Sequence, residues 1–154
     1  MSVPVVENIA LDIEAAVNAI TEANGFNQDL TALRPRRRDF ESTVAEDGVV
    51  LVKQLDEDLV GEQPVSVVDY RQEFALVVYV IDSDDAATSI DTRLNQVKAD
   101  LIKKLCEDRT RGGYAIDTII QPAAEFNEGP GKTGVVVRLD VHYRTDQDDP
   151  YTQA

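Results

Sequence analysis

Cysteine, histidine and tryptophan are almost missing from this chain of 154 residues, which has one cysteine, one histidine and no tryptophan. The single cysteine, Cys106, cannot form an internal disulfide, which favours a reducing compartment. The single histidine, His142, has no second histidine or neighbouring cysteine in the sequence with which to build a metal shell. No serine stands in a nucleophile-elbow motif. We therefore expect a protein with no cofactor, no metal site and no catalytic set.

Long apolar runs are also absent, since no stretch approaches the roughly 18 residues that cross a bilayer. The first 23 residues lack a basic start and carry four acidic residues, unlike a secretory signal. We therefore expect a soluble intracellular protein without a membrane partner. The length predicts a single domain over residues 1–154.

Positive charge is scarce, because 15 lysines and arginines stand against 29 acidic residues, for a net charge of −14. Such a surface repels nucleic acid unless a local basic patch reverses the field. Two interpretations remain open: the charge keeps the protein soluble, or it lets nucleic acid pass without binding.

Two amphipathic helices are predicted by apolar residues at helical spacing. The first covers residues 4–24, with Ile13 in its apolar stripe and Gly25 as its stop signal. The second covers residues 88–108, with Leu101 in its stripe. Each stripe predicts a helix face that packs on a sheet.

One predicted strand, residues 134–144, alternates between apolar and polar side chains, which is typical of a strand with one buried face. The apolar face consists of Val135, Val137, Leu139, Val141 and Tyr143. The other face consists of Val136, Arg138, Asp140, His142 and Arg144. We expect the polar face to contact solvent or a polar partner, and for that reason we predict that it carries the function.

Another predicted strand, residues 69–82, contains the run Phe-Ala-Leu-Val-Val-Tyr-Val-Ile and is apolar on both faces. A strand of this kind lies centrally in a sheet, covered on both sides. Two helices do not readily cover so much apolar surface, so the excess predicts a subunit interface that includes Val77 and Tyr79.

The remaining segments complete an α+β fold with a mostly antiparallel sheet of four to five strands and two helices packed on one face. Further strands are predicted at residues 49–55 and 114–121, with an extended edge segment at residues 29–39. Residues 56–68, residues 122–132 and the tail 146–154 lack apolar periodicity. We expect these three segments to be mobile loops.

Several motifs resemble known sites but fail at defining positions. Residues 129–133, Gly-Pro-Gly-Lys-Thr, resemble a phosphate loop, but the first required glycine is Phe126 and a strand follows where a helix is needed. The acidic runs that begin at Asp56 and Asp82 resemble calcium loops, but their twelfth positions are Val67 and Arg93 instead of glutamate. Neither pattern predicts a ligand.

One basic stretch stands out, formed by Arg34, Arg36, Arg37 and Arg38 around Pro35. Basic runs bind nucleic acid or phosphate, yet in a chain this acidic they can equally meet the acidic surface of a neighbouring copy. We favour the subunit contact and leave the nucleic-acid contact open. Arg138, His142 and Arg144 join Val77 and Tyr79 as further candidates for the interface.

The order of these elements resembles the tail terminator, or tail completion, proteins of long-tailed bacteriophages. The resemblance runs from about residue 5 to residue 151, through the apolar strand, the helix at residues 90–106 and the closing strand that ends in Tyr143, Arg144 and Thr145. The acidic segment 56–68 has no counterpart in the family pattern.

The resemblance implies a non-enzymatic virion protein. It implies a ring of six copies that caps the tail tube, stops its polymerisation and joins it to the head, with tail tube protein and head–tail connector as partners. DNA would pass through without specific binding, and assembly would take place in the host cytoplasm. The alternative, from the charge alone, is an acidic DNA-mimicking inhibitor that need not form a ring.

Overall fold

The computed structural model describes residues 2–34, 47–61, 65–81, 88–127 and 132–154. Within these ranges the chain forms two α-helices, α1 (Val5–Asn18) and α2 (Ile90–Glu107). The strands are β1 (Thr31–Leu33), β2 (Val49–Leu59), β3 (Val67–Ile81), β4 (Asp117–Ile120), β5 (Ala124–Asn127), β6 (Lys132–Asp146) and β7 (Asp149–Gln153). The predicted α+β class with two helices is confirmed.

A long antiparallel ribbon of β3 and β6 forms the centre of a strongly curled sheet with the strand order β1-β2-β3-β6-β4. The other edge of β6 is shared by three short strands, with β5 beside residues 133–136, β4 beside 139–142 and β7 beside 145–146. β1 pairs in parallel with only the first three residues of β2, so the sheet is mixed but mostly antiparallel.

The main core lies between the helices and one face of this ribbon. Ile13 and Leu101 are fully buried, as the two helical stripes predict. The predicted inner face of β6 is confirmed, because Val135, Val137, Leu139, Val141 and Tyr143 are all buried. From β3, Phe74, Leu76 and Val78 join the same core.

The first helix is shorter than predicted, since it ends at Asn18 rather than at residue 24. Two side chains make hydrogen bonds where the helix ends: Asn24 Nδ2 donates to the Ala19 carbonyl, and Asn18 Oδ1 accepts from the Ala32 amide of β1 at 2.8 Å. A 3-10 turn, Glu22–Asn24, follows, and Gly25 closes that turn at φ +88°. The stop signal at Gly25 therefore belongs to the turn.

The three predicted loops are wrong over part of their length. Residues 56–59 form the last part of β2, and residues 67–68 form the first part of β3, so both strands are longer than predicted. Residues 124–127 form β5, and the tail folds back on β6 as β7. Residues 62–64 and 128–131 lie outside the described residues. Amphipathic periodicity failed here because exposed edge strands have no buried face to impose it.

The face of β3 away from the helices is covered within the protomer. Val77 and Tyr79 are only 7% and 3% exposed, and with Leu51 they form a second small core. Phe126 of β5 meets the Tyr79 ring edge-on, with 5.4 Å between the ring centroids. The apolar surplus that suggested a subunit interface at Val77 and Tyr79 is therefore absent, because a short strand that the sequence pattern missed contributes to the cover.

Candidate functional site: the outer face of the sheet

The outer face, the sheet surface turned away from α1 and α2, is a network of ion pairs. The register of β3 and β6 alternates, so Asp69, Arg71 and Glu73 lie on the same face as Arg138, Asp140, His142 and Arg144. The predicted polar face of residues 134–144 is thus part of a larger polar surface that includes side chains of the neighbouring strands.

Each arginine on this face contacts a carboxylate. Arg144 makes a two-pronged contact with Asp69 at 2.6 and 3.0 Å, and Arg109 makes another with Asp117 at 2.8 and 3.1 Å. Arg71 donates to Asp58 at 3.0 Å, and Arg138 lies 3.4 Å from Glu73. All four are charge-assisted contacts at a partly exposed surface, and the two-pronged geometry orients the guanidinium groups of Arg144 and Arg109.

The ion pairs also shift the pKa values of the carboxyl groups. The hydrogen bond from Arg144 holds the pKa of Asp69 below its ordinary value, and the bond from Arg109 does the same for the pKa of Asp117. The pKa of each of these two arginines is raised by the same contact. Both pairs therefore stay ionised at neutral pH.

A shallow groove of about 410 Å³ runs across the outer face between β2 and β4. Its lining consists of Asp56, Asp58, Arg71, Glu73, Gln121, Arg138 and Asp140. Four carboxylates thus outnumber two arginines, and Asp140 accepts a further hydrogen bond from Gln121 at 2.9 Å. The groove is negative in balance and offers a phosphate group no unpaired arginine.

Arginines outside the outer face are also paired with carboxylates. Seven of the ten arginines lie in the described residues, and all seven contact a carboxylate. The three others are Arg36, Arg37 and Arg38. Arg34, the first residue of the predicted basic stretch, pairs with Glu7 of α1 at 2.5 Å. The prediction that Arg34 meets a neighbouring copy therefore loses support, because its charge is used within the protomer.

The other residues that were predicted at the interface form two groups, one on the outer face and one outside the described residues. Arg138, His142 and Arg144 lie together on the outer face, but both arginines are paired there. His142 stands between Arg71 of β3 and Asp117 of β4 in the register. Arg36, Arg37 and Arg38 lie outside the described residues. Cys106 is exposed.

Among the buried polar residues that sequence reasoning missed are Gln72, Asp100 and Arg111. Asp100 accepts from the amide and the side chain of Asn27, both at 3.0 Å, and so ties the turn after α1 to α2. Arg111 lies 3.5 Å from Asp12 at a groove of about 400 Å³ between the helices, where burial raises the pKa of Asp12. No periodic pattern marks these residues, because each contacts a partner on a distant segment of the chain.

Within the described ranges, no group of three or more histidine, cysteine or acidic residues is arranged to hold a metal ion. Neither helix of the described chain is long and apolar enough to span a bilayer. No protein-family model matches the chain, and no curated protein matches it in sequence. The site is therefore interpreted from its own geometry.

Proposed function

We propose that this protein is a structural virion component of the tail terminator kind. It forms a six-fold ring that caps the tail tube, stops its polymerisation and joins the tail to the head. Its partners are further copies of itself, the tail tube protein and the head–tail connector, and DNA passes through the ring without specific binding. The resemblance in element order supplies this class of function.

The observation that carries the proposal is the neutralisation of the arginines on the outer face. A duplex binds where lysines or arginines replace its counterions, so a surface along which DNA slides must hold no unpaired arginine against it. Arg71, Arg109, Arg138 and Arg144 all contact carboxylates, and the groove keeps an excess of acid. Around one axis, six such faces give a negative channel in which repulsion is stronger than on an open surface.

The acidic balance also favours one rival, a DNA-mimicking inhibitor. A mimic presents unneutralised carboxylates with duplex-like spacing, whereas the four ion pairs interrupt the acids of the outer face. Assembly separates the two functions, because a mimic has no need of a ring.

Native mass spectrometry over a range of concentrations tests the proposal, with a gel-shift assay on duplex DNA at moderate salt. We expect a six-copy species, completed or stabilised by tail tubes, and no retardation of DNA. A monomer or dimer that binds a DNA-binding protein in place of DNA would favour the mimic. Tight, salt-sensitive binding to duplex DNA would contradict both functions.

A further inference from the structure

A groove of about 400 Å³, which we call the helical groove, lies between α1 and the segment at the end of α2. Its apolar wall consists of Ala15 and Ala16 of α1 and the following Ala19. These small side chains leave space for the body of a ligand, and charged side chains line the rest. Concave surfaces that combine an apolar wall with a few fixed polar groups are typical of ligand sites.

Arg111 is the buried charge of the helical groove, with only 1% of its side chain exposed. Its Nη2 donates to the carbonyls of Leu105 and Asp108, so the guanidinium is held at the C-terminal end of α2. Nε and Nη1 are buried as well, and neither has a hydrogen-bond partner among the described residues. A buried charged donor without an acceptor is costly, so an acceptor bound in the groove would stabilise the protein.

Asp12 places an acceptor beside these donors. Its Oδ2 lies 3.5 Å from Arg111 Nη1, which makes an ion pair but is longer than an ordinary hydrogen bond. Burial raises the pKa of Asp12, while the charge of Arg111 acts in the opposite direction. A donor and an acceptor therefore lie next to each other at the groove, and a carboxylate has lone pairs for a further donor.

The other charged groups of the groove already have partners. Lys104 Nζ lies 2.8 Å from Glu107 Oε2. The Asp108 carboxylate accepts from the Thr110 hydroxyl at 2.7 Å and from the Gly112 amide at 2.8 Å. These hydrogen bonds hold the pKa of Asp108 below its ordinary value. Recognition of a ligand is therefore left to the buried arginine and the aspartate beside it.

The opposite charges of this pair favour a neutral ligand. An anion would be attracted by Arg111 but repelled by Asp12, and a cation would meet the reverse. A neutral group that carries an acceptor and a donor on one edge satisfies both. A primary carboxamide has such an edge, and glutamine and asparagine use it to bind the adjacent donor and acceptor of adenine. A backbone amide lacks it, because its N–H and C=O point in opposite directions across the trans peptide bond.

We propose that the helical groove binds the side-chain amide of a glutamine or asparagine of a partner polypeptide. The amide oxygen accepts from Arg111, the amide nitrogen donates to Asp12, and the aliphatic stem packs on the alanine wall. A free amino acid fits less well, because the charged groups that could bind its ammonium and carboxylate already have partners. The inference goes beyond the proposed function and does not depend on a ring.

Capped amino acids test this chemistry. The probes are glutamine, glutamate and methionine, each with an N-acetyl group and a C-terminal methylamide, so that all three share the same backbone amides. Glutamate has the shape of glutamine with a negative charge, and methionine has a similar length without the amide. We expect capped glutamine to bind at least about tenfold more tightly than either, because each of the others loses a hydrogen bond to a charged group.

Two-dimensional ¹H–¹⁵N NMR measures the binding. The Nε–H signal of Arg111 is assigned by its loss in Arg111→Lys, and it should shift as the guanidinium gains an acceptor. A titration of this signal gives the affinity for each probe. A ligand that binds elsewhere on the surface would leave the signal in place.

Two groove variants and a matched control locate the site. Ala15→Leu and Ala19→Leu fill the groove from its alanine wall and should weaken the binding of capped glutamine at least about tenfold. Ala99→Leu makes the same change at an exposed position of α2 outside the lining and should leave binding unchanged. Thermal unfolding shows whether each variant keeps the fold, and either groove variant alone is sufficient for the test.

Saturable binding of capped glutamine that is lost in the groove variants supports the proposal. Equal binding of glutamine and methionine would mean that the contact is only apolar, and tighter binding of glutamate would mean an anion site, so either result overturns it. If no probe shifts the Arg111 signal, the groove holds water only and the proposal is wrong. Free glutamine that binds about tenfold more tightly than capped glutamine would identify a small molecule as the ligand and overturn the assignment to a polypeptide.

Discussion

The ring of Phe126 lies across the backbone of Gly134, its partner in the register of β5 and β6. A Cβ on Gly134 would stand 2.3 Å from Phe126 Cζ and 2.6 Å from the Val78 carbonyl oxygen. Because this position has no side chain, β5 can cross β6 closely and bring Phe126 onto Tyr79. The cover of the second core therefore depends on one glycine.

Gly134→Ala should destabilise the protein by about 1–3 kcal/mol, since the new methyl group meets both an aromatic ring and backbone. Denaturant unfolding followed by circular dichroism measures the change. Phe126→Leu should cost less, and combining the two should recover only part of the loss, because the Val78 carbonyl cannot move aside. A double variant as stable as the wild type would show that Phe126 alone causes the clash.

Gln72→Glu should destabilise the β-bulge of β2 at Leu55 and Asp56, because a carboxylate cannot donate to the carbonyls of these two residues. Placing a carboxylate in the buried position of Gln72, without the hydrogen bonds that the amide donates, costs about 1–3 kcal/mol. Burial raises the pKa of the introduced carboxyl, so the loss should shrink as the pH falls and the acid regains its proton. Gln96→Glu, at a partly exposed position of α2, is the control and should show much less pH dependence.

The pair of Asp69 and Arg144 should make stability depend on pH in the acid range. The pKa of Asp69 is lowered in the fold, so its contribution is complete above the unfolded value near 3.9 and is lost as the pH falls through the folded value. The gap in unfolding free energy between wild type and Asp69→Asn should therefore be largest near neutral pH and should close as the pH falls through the lowered pKa of Asp69. A gap that widens on acidification would contradict the assigned sign.

Releasing arginines on the outer face should create DNA binding where the wild type has none. Asp58→Asn, Asp69→Asn and Glu73→Gln together leave Arg71, Arg144 and Arg138 without their carboxylates. Every released arginine that binds a phosphate should also steepen the salt dependence of DNA binding. The matched control neutralises Glu22, Asp91 and Asp146, which contact none of these arginines. A gel shift that is equal for both variants would mean that total charge, and not the pairing, keeps DNA away.

Sequence patterns located the long elements well. The helices around Ile13 and Leu101 and the ribbon of β3 and β6 follow from apolar periodicity, because a buried face imposes its period on the sequence. The same signal is weak in β5 and β7, whose residues are mostly exposed. The second half of β2 was interpreted as a loop for the same reason, because its residues 54–59 are all exposed.

The sequence by itself determined the fold class, the inner face of β6 and the excess of negative charge, since composition and alternation are local properties. Only the tertiary structure decided which charges are neutralised. Asp69 and Arg144 are far apart in the chain, yet the β3–β6 register places them side by side. Tertiary structure also decided that Val77 and Tyr79 are covered within the protomer. Burial and ion pairing depend on contacts between distant segments, and these are fixed by register and packing rather than by any local pattern.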